Sequence, residues 1–274
     1  MLDRRSRFVI TAMVFAFAFL YIPIVSVVVY SFNESRMVTI WSGFSLKWWK
    51  ALPENEEMIS AALLSLQIGV FTATVAVVLG TLAGVALARY RRFRARTLFT
   101  GLITAPLVMP EVIMGISMLL LFVALERLFG WPERGFTTIA IAHITFTMAY
   151  VAVIVQSRLV TFDYALEEAA QDLGARPAKV FFVITLPIIA PALLSGWLLA
   201  FTLSIDDLVI TQFVTGPTAT TLPMLVYSSV RRGVSPEINV LASIIVAIVT
   251  VGIIVATIVL QRQQRRRQRE AQAG

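Results

Sequence analysis

The sequence contains no cysteine and only one histidine, His143, so several kinds of functional site are excluded at once. Without cysteine there can be no disulfide and no thiolate metal site, and one histidine cannot form a histidine cluster. We therefore expect no metal bound by this chain. Charge is also scarce, because only 14% of the 274 residues are charged while 58% are hydrophobic. The mean hydropathy of +0.83 is typical of proteins that cross a membrane several times.

The motifs that would indicate an enzyme are missing as well. None of the three lysines follows a glycine, so the GxxxxGK[ST] loop that cradles nucleotide phosphates is absent. The HExxH, GxSxG and CxxC patterns are absent too. The chain alone is therefore not expected to bind ATP in that way or to catalyse a reaction. Any ATP-driven work would have to come from a partner.

The net charge of +7 could indicate a nucleic-acid-binding protein, but the positions of the basic residues argue against it. Arginines gather where long apolar runs end, as the positive-inside rule expects of cytosolic segments. When the segments between these runs are assigned alternately to the two sides, sixteen lysines and arginines lie inside and seven outside. This bias predicts that both termini are cytoplasmic, and it leaves no need for a nucleic-acid partner.

Six apolar runs are long enough to cross a membrane as helices. The sequence therefore predicts an all-α polytopic membrane protein with a single transmembrane domain over residues 1–274. The first run is too long for a typical signal peptide and lacks a small-x-small cleavage site near its end, so we interpret it as a membrane helix. The expected spans are 8–31, 61–88, 98–125, 136–156, 186–206 and 240–260.

Two of these spans carry unusual residues in their interiors. Pro106 and Pro110 interrupt the third span, and Glu111 follows directly. A helix broken there would free backbone carbonyls, which a membrane tolerates only where protein or water satisfies them. In the second span, Gly80 and Gly84 form a small-xxx-small pattern that favours close helix packing, although such pairs are also common by chance.

The segment 161–187, between the fourth and fifth spans, has a helical pattern of its own. Leu166 and Leu173 fall at helical spacing on one face, and four acids fall on the other. Gly174 stands where a helix would end in a left-handed residue, and Pro177 suits the first turn of another helix. The sequence thus predicts two short helices joined by a tight glycine turn. The four acids are Asp163, Glu167, Glu168 and Asp172.

Seven anchors within this segment resemble the EAA loop of binding-protein-dependent ABC importer permeases. The family pattern is Glu-Ala-Ala, three residues, Gly, nine residues, Ile, one residue and Leu-Pro, and every anchor is present at that spacing. The resemblance implies that the loop docks on a cytosolic ATPase and transmits its closure to the membrane helices. The alternative is an amphipathic helix resting on the lipid surface, which fits less well because the polar face is acidic. The anchors are Glu168, Ala169, Ala170, Gly174, Ile184, Leu186 and Pro187.

Other stretches are similar to the polyamine branch of the same family, and within it to its putrescine permeases. The likeness covers nearly the whole chain. It implies a type I ABC importer permease of MetI-like fold, located in a bacterial cell inner membrane as a multi-pass protein. The stretches that carry it are 41–48, 204–211, 213–217, 221–223 and 234–239.

The same resemblance implies the partners of the chain. A second permease would complete the translocation pathway as a heterodimer, and a cytosolic ATPase dimer would bind ATP and Mg²⁺. A periplasmic polyamine-binding protein would deliver putrescine or a related polyamine, while this chain would bind no cofactor and would contact membrane lipid. Two alternatives stay open: a permease of this family for another small solute, and an ion-coupled secondary transporter, which would be expected to contain internal repeats.

Three acids at or near membrane depth are candidates for a cation path. A carboxylate in hydrocarbon is costly, so it usually faces a cavity or a partner. Glu111 is predicted to face a cavity, unless its span is shifted outward and the acid is interfacial. Asp206 and Asp207 either line the path or cap the outer end of the fifth span, and Glu111 and Asp207 rank above Asp206. His143 is interpreted as a hydrogen-bonded packing residue rather than a proton relay.

Overall fold

The computed structural model describes residues 4–37, 40–90, 93–233 and 235–273, and most of them are helical. Arg91 and Arg92 of the arginine cluster, and Val234, lie outside the described residues. The described part of the chain forms no strand, apart from one isolated bridge in a loop. The helices are α1 (Arg4–Tyr30), α2 (Lys47–Ala51), α3 (Glu56–Arg89), α4 (Arg96–Val108), α5 (Glu111–Phe129), α6 (Phe136–Val160), α7 (Ala165–Asp172), α8 (Pro177–Val180), α9 (Leu186–Ile205), α10 (Val209–Val214), α11 (Leu222–Arg232) and α12 (Pro236–Ala273).

Helices of membrane-spanning length account for most of the expected spans. The all-α architecture is confirmed, whereas six as the number of spans stays a prediction. Two shorter apolar helices, Arg96–Val108 and Pro236–Gly252, fall below the length of the others. Among the described residues, five helices are long and apolar enough to cross a membrane: Phe8–Tyr30, Glu56–Arg89, Glu111–Phe129, Phe136–Val160 and Pro177–Ile205.

The predicted third span, 98–125, is not one helix but two, because the chain breaks between α4 and α5. Pro110 has no amide hydrogen and disfavours helical backbone angles at the residue before it. Met109 accordingly has extended backbone angles, φ −77° and ψ 136°. Pro106, in contrast, lies inside α4. The expectation that both prolines interrupt the span is therefore wrong for Pro106.

The chain divides into two compact units, and the boundaries fall inside α3 and near the middle of α11. The first unit comprises Met1–Ile59 and Val226–Gly274, and the second comprises Ser60–Leu225. All the candidate site residues belong to the second unit.

In the first unit, α1 packs against α12, and buried side chains fix the loop that follows α1. The Asn33 side-chain amide donates to the Ile40 carbonyl at 2.7 Å, and its oxygen accepts from the Ser42 amide at 3.0 Å. The Asn55 side chain donates to the Glu237 carboxylate at 2.7 Å. These bonds organise the segment between α1 and α3, which contains the short helix α2.

The second unit is built around α6, because nearly half of its 25 residues are buried. It packs against α9, α4 and α10, with Val151 and Val155 wholly buried in the contact with α9. Helix α3 approaches α6 so closely at Gly84 that an added Cβ atom would stand 2.8 Å from the Ala152 carbonyl oxygen. The small-xxx-small pattern therefore corresponds to real helix packing.

The segment between α9 and α12 contains two short helices. Helix α10 packs mainly against α5 and also against α6. The other is α11, Leu222–Arg232. Helix α10 thus brings the residues after α9 back into the interior of the second unit.

Candidate functional site

The 161–187 segment has the helix–turn–helix form that its sequence predicts. Gly174 adopts φ +85°, a left-handed angle that glycine tolerates better than other residues. Its amide donates to the Gln171 carbonyl at 2.8 Å, and the Ala175 amide donates to the Ala170 carbonyl at 3.0 Å. These two bonds satisfy carbonyls that the end of α7 would otherwise leave unpaired. Pro177 then occupies the first position of α8.

The second half of the segment is continuous with a membrane-length helix. Phe181–Thr185 forms a π-helical turn that joins α8 directly to α9. Ile184 lies in this turn, and Leu186 and Pro187 are the first two residues of α9. Three of the predicted anchors therefore belong to the start of the fifth span. A displacement of α8 would act on α9 without an intervening flexible linker.

Burial along α7 does not follow its amphipathic pattern. Glu167, assigned to the polar face, is buried with 5% exposure, whereas Leu173, assigned to the apolar face, is 90% exposed. Leu166 is also exposed, and so are Glu168 and Ala169. The exposed residues of α7 and of its C-terminal end thus include two leucines as well as an acid.

The physical reason for this orientation is a charged partner on the inner side of α7. The Arg89 guanidinium forms an ion pair and a hydrogen bond with the Glu167 carboxylate. The Thr185 hydroxyl donates to the same Glu167 oxygen, and Arg89 Nη2 lies 3.2 Å from the Thr185 oxygen. A buried carboxylate is tolerated when it is paired and hydrogen-bonded. Arg89 therefore determines which side of α7 faces inward.

Asp163 caps the start of α7. The Asp163 carboxylate accepts a hydrogen bond from the Ala165 amide at 3.0 Å. The Thr161 hydroxyl instead donates to the Arg158 carbonyl, at the end of α6. An acid at the start of a helix also interacts favourably with its dipole.

The three acids proposed for a cation path differ sharply in burial. Glu111 is exposed at the first position of α5, where its charge suits the helix N-terminus. Asp206 is exposed at the end of α9, whereas the Asp207 side chain is only 5% exposed. Glu111 lies on a different element from the two aspartates, although α5 packs against α10.

Asp207 is held in a buried network that ties α6, α9 and α10 together. Its carboxylate accepts from the Thr211 amide and from the Thr211 hydroxyl, both at 2.8 Å, and so caps α10 rather than α9. His143 Nε2 lies 3.2 Å from Asp207 Oδ2 and 3.0 Å from Thr211 Oγ1, and Nδ1 lies 2.8 Å from Ser204 Oγ. An ionised carboxylate only accepts, so every atom is satisfied when Nε2 donates towards Asp207 and Ser204 donates to Nδ1. His143 is thus a hydrogen-bonded residue of the core.

Five residues of these two networks were not identified from the sequence as site residues. Their partners are far apart in sequence, since Arg89 and Glu167 are separated by 78 positions and His143 and Asp207 by 64. One indication was available: Arg89 immediately ends an apolar run, where a cation has few local partners. The five residues are Arg89, Glu167, Thr185, Ser204 and Thr211.

A metal site is not apparent in the part of the chain that the structure describes, where no group of three or more His, Asp or Glu side chains is suitably placed. The bonds that define both networks lie within the chain. The exposed side chains, above all those on α7, remain available to bind a partner.

Comparison with protein families gives a match over most of the chain. Residues 76–269 match the family described as "Binding-protein-dependent transport system inner membrane component". The putrescine transport system permease protein PotI of Escherichia coli K12 is 55% identical over 98% of this chain and 96% of its own length. The spermidine/putrescine transport system permease protein PotC of the same strain is 43% identical over 89% of this chain and 90% of its length.

Solved structures with the same fold are more distant in sequence. A crystal structure of a bacterial ABC transporter involved in the import of the acidic polysaccharide alginate matches with a TM-score of 0.68 at 18% identity. The match covers 95% of this chain and 98% of that chain. A second structure, of a bacterial alginate ABC transporter in complex with a pentasaccharide-bound periplasmic protein, matches with a TM-score of 0.66 at 16% identity. At these identities the likeness concerns the fold alone.

Proposed function

The chain belongs to the family of binding-protein-dependent transport system inner membrane components, and from this premise we propose that it helps to import putrescine or a closely related polyamine. It is a multi-pass permease subunit of an ABC importer, and its role is transport rather than catalysis. The observation that carries the substrate class is the 55% identity to PotI over 98% of the chain, supported by the 43% identity to PotC.

Family membership implies a partner permease, an ATPase and a periplasmic binding protein. We propose in particular that a second, different permease completes the pathway and that a cytosolic ATPase dimer binds ATP and Mg²⁺. A periplasmic polyamine-binding protein would deliver the substrate, and both termini of this chain would be cytoplasmic. The absence of a phosphate-binding loop from the sequence supports the placement of ATP on a partner.

The coupling loop, residues 161–187, is the proposed contact with the ATPase. Its docking surface would be the exposed part of α7 and its C-terminal end, which includes Leu166, Leu173 and, further round the helix, Glu168. Exposed leucines on one side of a helix are typical of a surface that is covered in an assembly. The coupling residues proposed from the family pattern are Glu168, Ala169, Ala170, Gly174, Ile184, Leu186 and Pro187.

A cation path lined by acids is the second part of the proposal. Exposure supports Glu111 and Asp206 for this role, since their carboxylates are accessible to a dication, whereas that of Asp207 is engaged inside the chain. A membrane potential that is negative inside favours entry of a dication by about 4.6 kcal/mol per 100 mV, from roughly 2.3 kcal/mol for each charge. ATP would add direction and accumulation against a gradient.

The decisive experiment is uptake by the reconstituted complex of both permeases and the ATPase in proteoliposomes. Radiolabelled putrescine should enter only when ATP and the loaded binding protein are present, and unlabelled putrescine or spermidine should compete. Permeases reconstituted without the ATPase are the matched control. Uptake by that control under an ion gradient would indicate a secondary transporter instead, and absence of polyamine uptake by the full complex would refute the substrate class.

Neutral variants of the exposed acids test the path. Glu111→Gln and Asp206→Asn keep shape and remove charge, so they should weaken putrescine uptake while ATPase stimulation by the binding protein is largely retained. Both positions are exposed, which makes folding defects a minor contribution. Wild-type uptake by both single variants and by the double variant would remove these acids from the path.

A further inference from the structure

We propose that Arg89, Glu167 and Thr185 form a clamp that fixes α7 to the ends of α3 and α9, so that a displacement of α7 moves both membrane helices with it. The proposal rests on the proposed function and deepens it, because it names the residues that pass the motion of the ATPase into this permease. Glu167 lies on the buried side of α7, away from the exposed leucines, so the clamp is distinct from the docking surface.

The two charges of the clamp lie at helix ends that suit them. Arg89 is the last residue of α3, where a cation interacts favourably with the negative end of the helix dipole. Glu167 lies in the first turn of α7, where an anion suits the positive end. The ion pair therefore stabilises both helix ends while it joins them.

Burial makes this junction stiff. The Glu167 side chain is only 7% exposed, so little water is available to replace its partners, whereas Arg89 is 26% exposed. Removing one partner of such a pair leaves a charge in a place where it is poorly solvated. A rotation of α7 alone would also leave one of these two charges poorly solvated. The favoured response is therefore for α7 and the end of α3 to move together.

Thr185 adds the third helix to the junction. It is wholly buried at the point where the π-helical turn meets α9, and its hydroxyl donates to the same Glu167 oxygen that Arg89 contacts. π-helical turns are frequent at functional sites. The ends of α3 and α9 are thus both bonded to a single carboxylate oxygen of α7, which is an arrangement suited to transmitting a displacement.

Neutralising either charge should uncouple ATP hydrolysis from transport. In proteoliposomes containing the full complex and its binding protein, Glu167→Gln and Arg89→Gln should lower putrescine uptake per ATP hydrolysed by about fivefold or more, the lower end of typical coupling effects. The ATPase should still co-purify, and the charge exchange Arg89→Glu with Glu167→Arg should recover part of the ratio. Arg94→Gln, at an exposed arginine of the same loop, is the control and should leave the ratio unchanged.

The role of the Thr185 hydroxyl can be tested without breaking the ion pair between Arg89 and Glu167. Thr185→Val is nearly isosteric and removes the hydrogen bond, whereas Thr185→Ser keeps it. The valine variant should lower uptake per ATP hydrolysed, and the serine variant should not. If the charge variants do not assemble, this pair of variants tests whether the clamp couples ATP hydrolysis to transport. An unchanged ratio in Thr185→Val, or an equal loss in both variants, would overturn the clamp.

A measurement that does not depend on the substrate separates this proposal from the proposed function. Because the sequence has no cysteine, Ala165→Cys and Tyr90→Cys are the only positions of this chain that take a spin label, once cysteines of the partner subunits have been replaced. Both positions are exposed and neighbour the clamp in the sequence. In the full complex the distance distribution between the labels should be narrow, and Glu167→Gln should broaden it. Equal widths with and without Glu167→Gln would overturn the clamp even where polyamine uptake is established.

Discussion

The close contact between α3 and α6 allows a prediction whose magnitude follows from the geometry. A Cβ atom added at Gly84 would stand 2.8 Å from the Ala152 carbonyl oxygen and 2.9 Å from Val155 Cβ. Both distances are shorter than Cβ atoms adopt, and the first neighbour is backbone, so the two helices would have to separate. Overpacking of this kind costs about 1–3 kcal/mol. Gly84→Ala should therefore destabilise the protein.

A second glycine is needed as a reference, because alanine also changes the helix itself. Alanine is favoured over glycine in a helix interior by about 1 kcal/mol, which would hide part of the cost at Gly84. Gly101 lies inside α4, and the structure places no described neighbour within 4 Å of the position that its Cβ would take. Gly101→Ala carries the gain in helix propensity alone. The difference between the two variants then isolates the overpacking.

The assay is thermal unfolding of the purified complex, followed by the loss of monodisperse protein. For domains of about 150–250 residues, 1 kcal/mol corresponds to roughly 2–4 °C, so Gly84→Ala should melt about 2–12 °C below Gly101→Ala. Gly80→Ala should behave like Gly84→Ala, since its Cβ would stand 2.6 Å from Val151 Cβ. Equal Tm values for the variants at Gly84 and Gly101 would refute the close packing of α3 on α6.

Three further predictions concern the coupling loop, the buried aspartate and the topology. Glu168→Lys and Gly174→Asp should abolish transport while the protein stays in the membrane, because the first reverses a charge on the exposed side of α7 and the second strains a residue at φ +85°. Near-normal uptake with ATPase co-purification in both variants would contradict the docking assignment. Asp207→Asn should reduce recovery of the assembled complex more than uptake per assembled complex, since it weakens a buried network; the opposite pattern would make Asp207 a pathway acid. Reporter fusions after Asn55 should report outside and fusions at Arg94 inside, and reversed results at both positions would overturn the orientation.

The helices themselves could be predicted because their causes are local. Apolar runs of sufficient length gave the membrane helices, and Gly174 with Pro177 gave the turn between α7 and α8. The same local chemistry accounts for the error at Pro106. A proline inside a helix breaks it only when the surrounding structure does not accommodate the missing hydrogen bond. The structure around Pro106 cannot be inferred from the sequence.

The side-chain networks could not be predicted, because they depend on which helices pack together. Burial of Glu167 contradicts the amphipathic pattern of α7, and only the position of Arg89, at the end of a helix 78 residues earlier, explains it. The bonds of His143 to Ser204 and Asp207 likewise need the packing of α6 on α9. A hydrogen-bonded role for His143 was foreseeable, whereas the identity of its partners was not.

Burial separates the acids of this chain into two groups with different partners. Glu167 and Asp207 are buried, and a carboxylate that loses water needs internal donors or a cation in its place, which both of them have. At least one oxygen of each carboxylate is bonded within the chain. Glu168 and Asp206 are exposed, so their carboxylates remain available to a partner outside the chain. Consecutive residues of a helix point in directions about 100° apart, so in the pair at 167 and 168 one acid can hold the helix in place while the next is presented to another molecule.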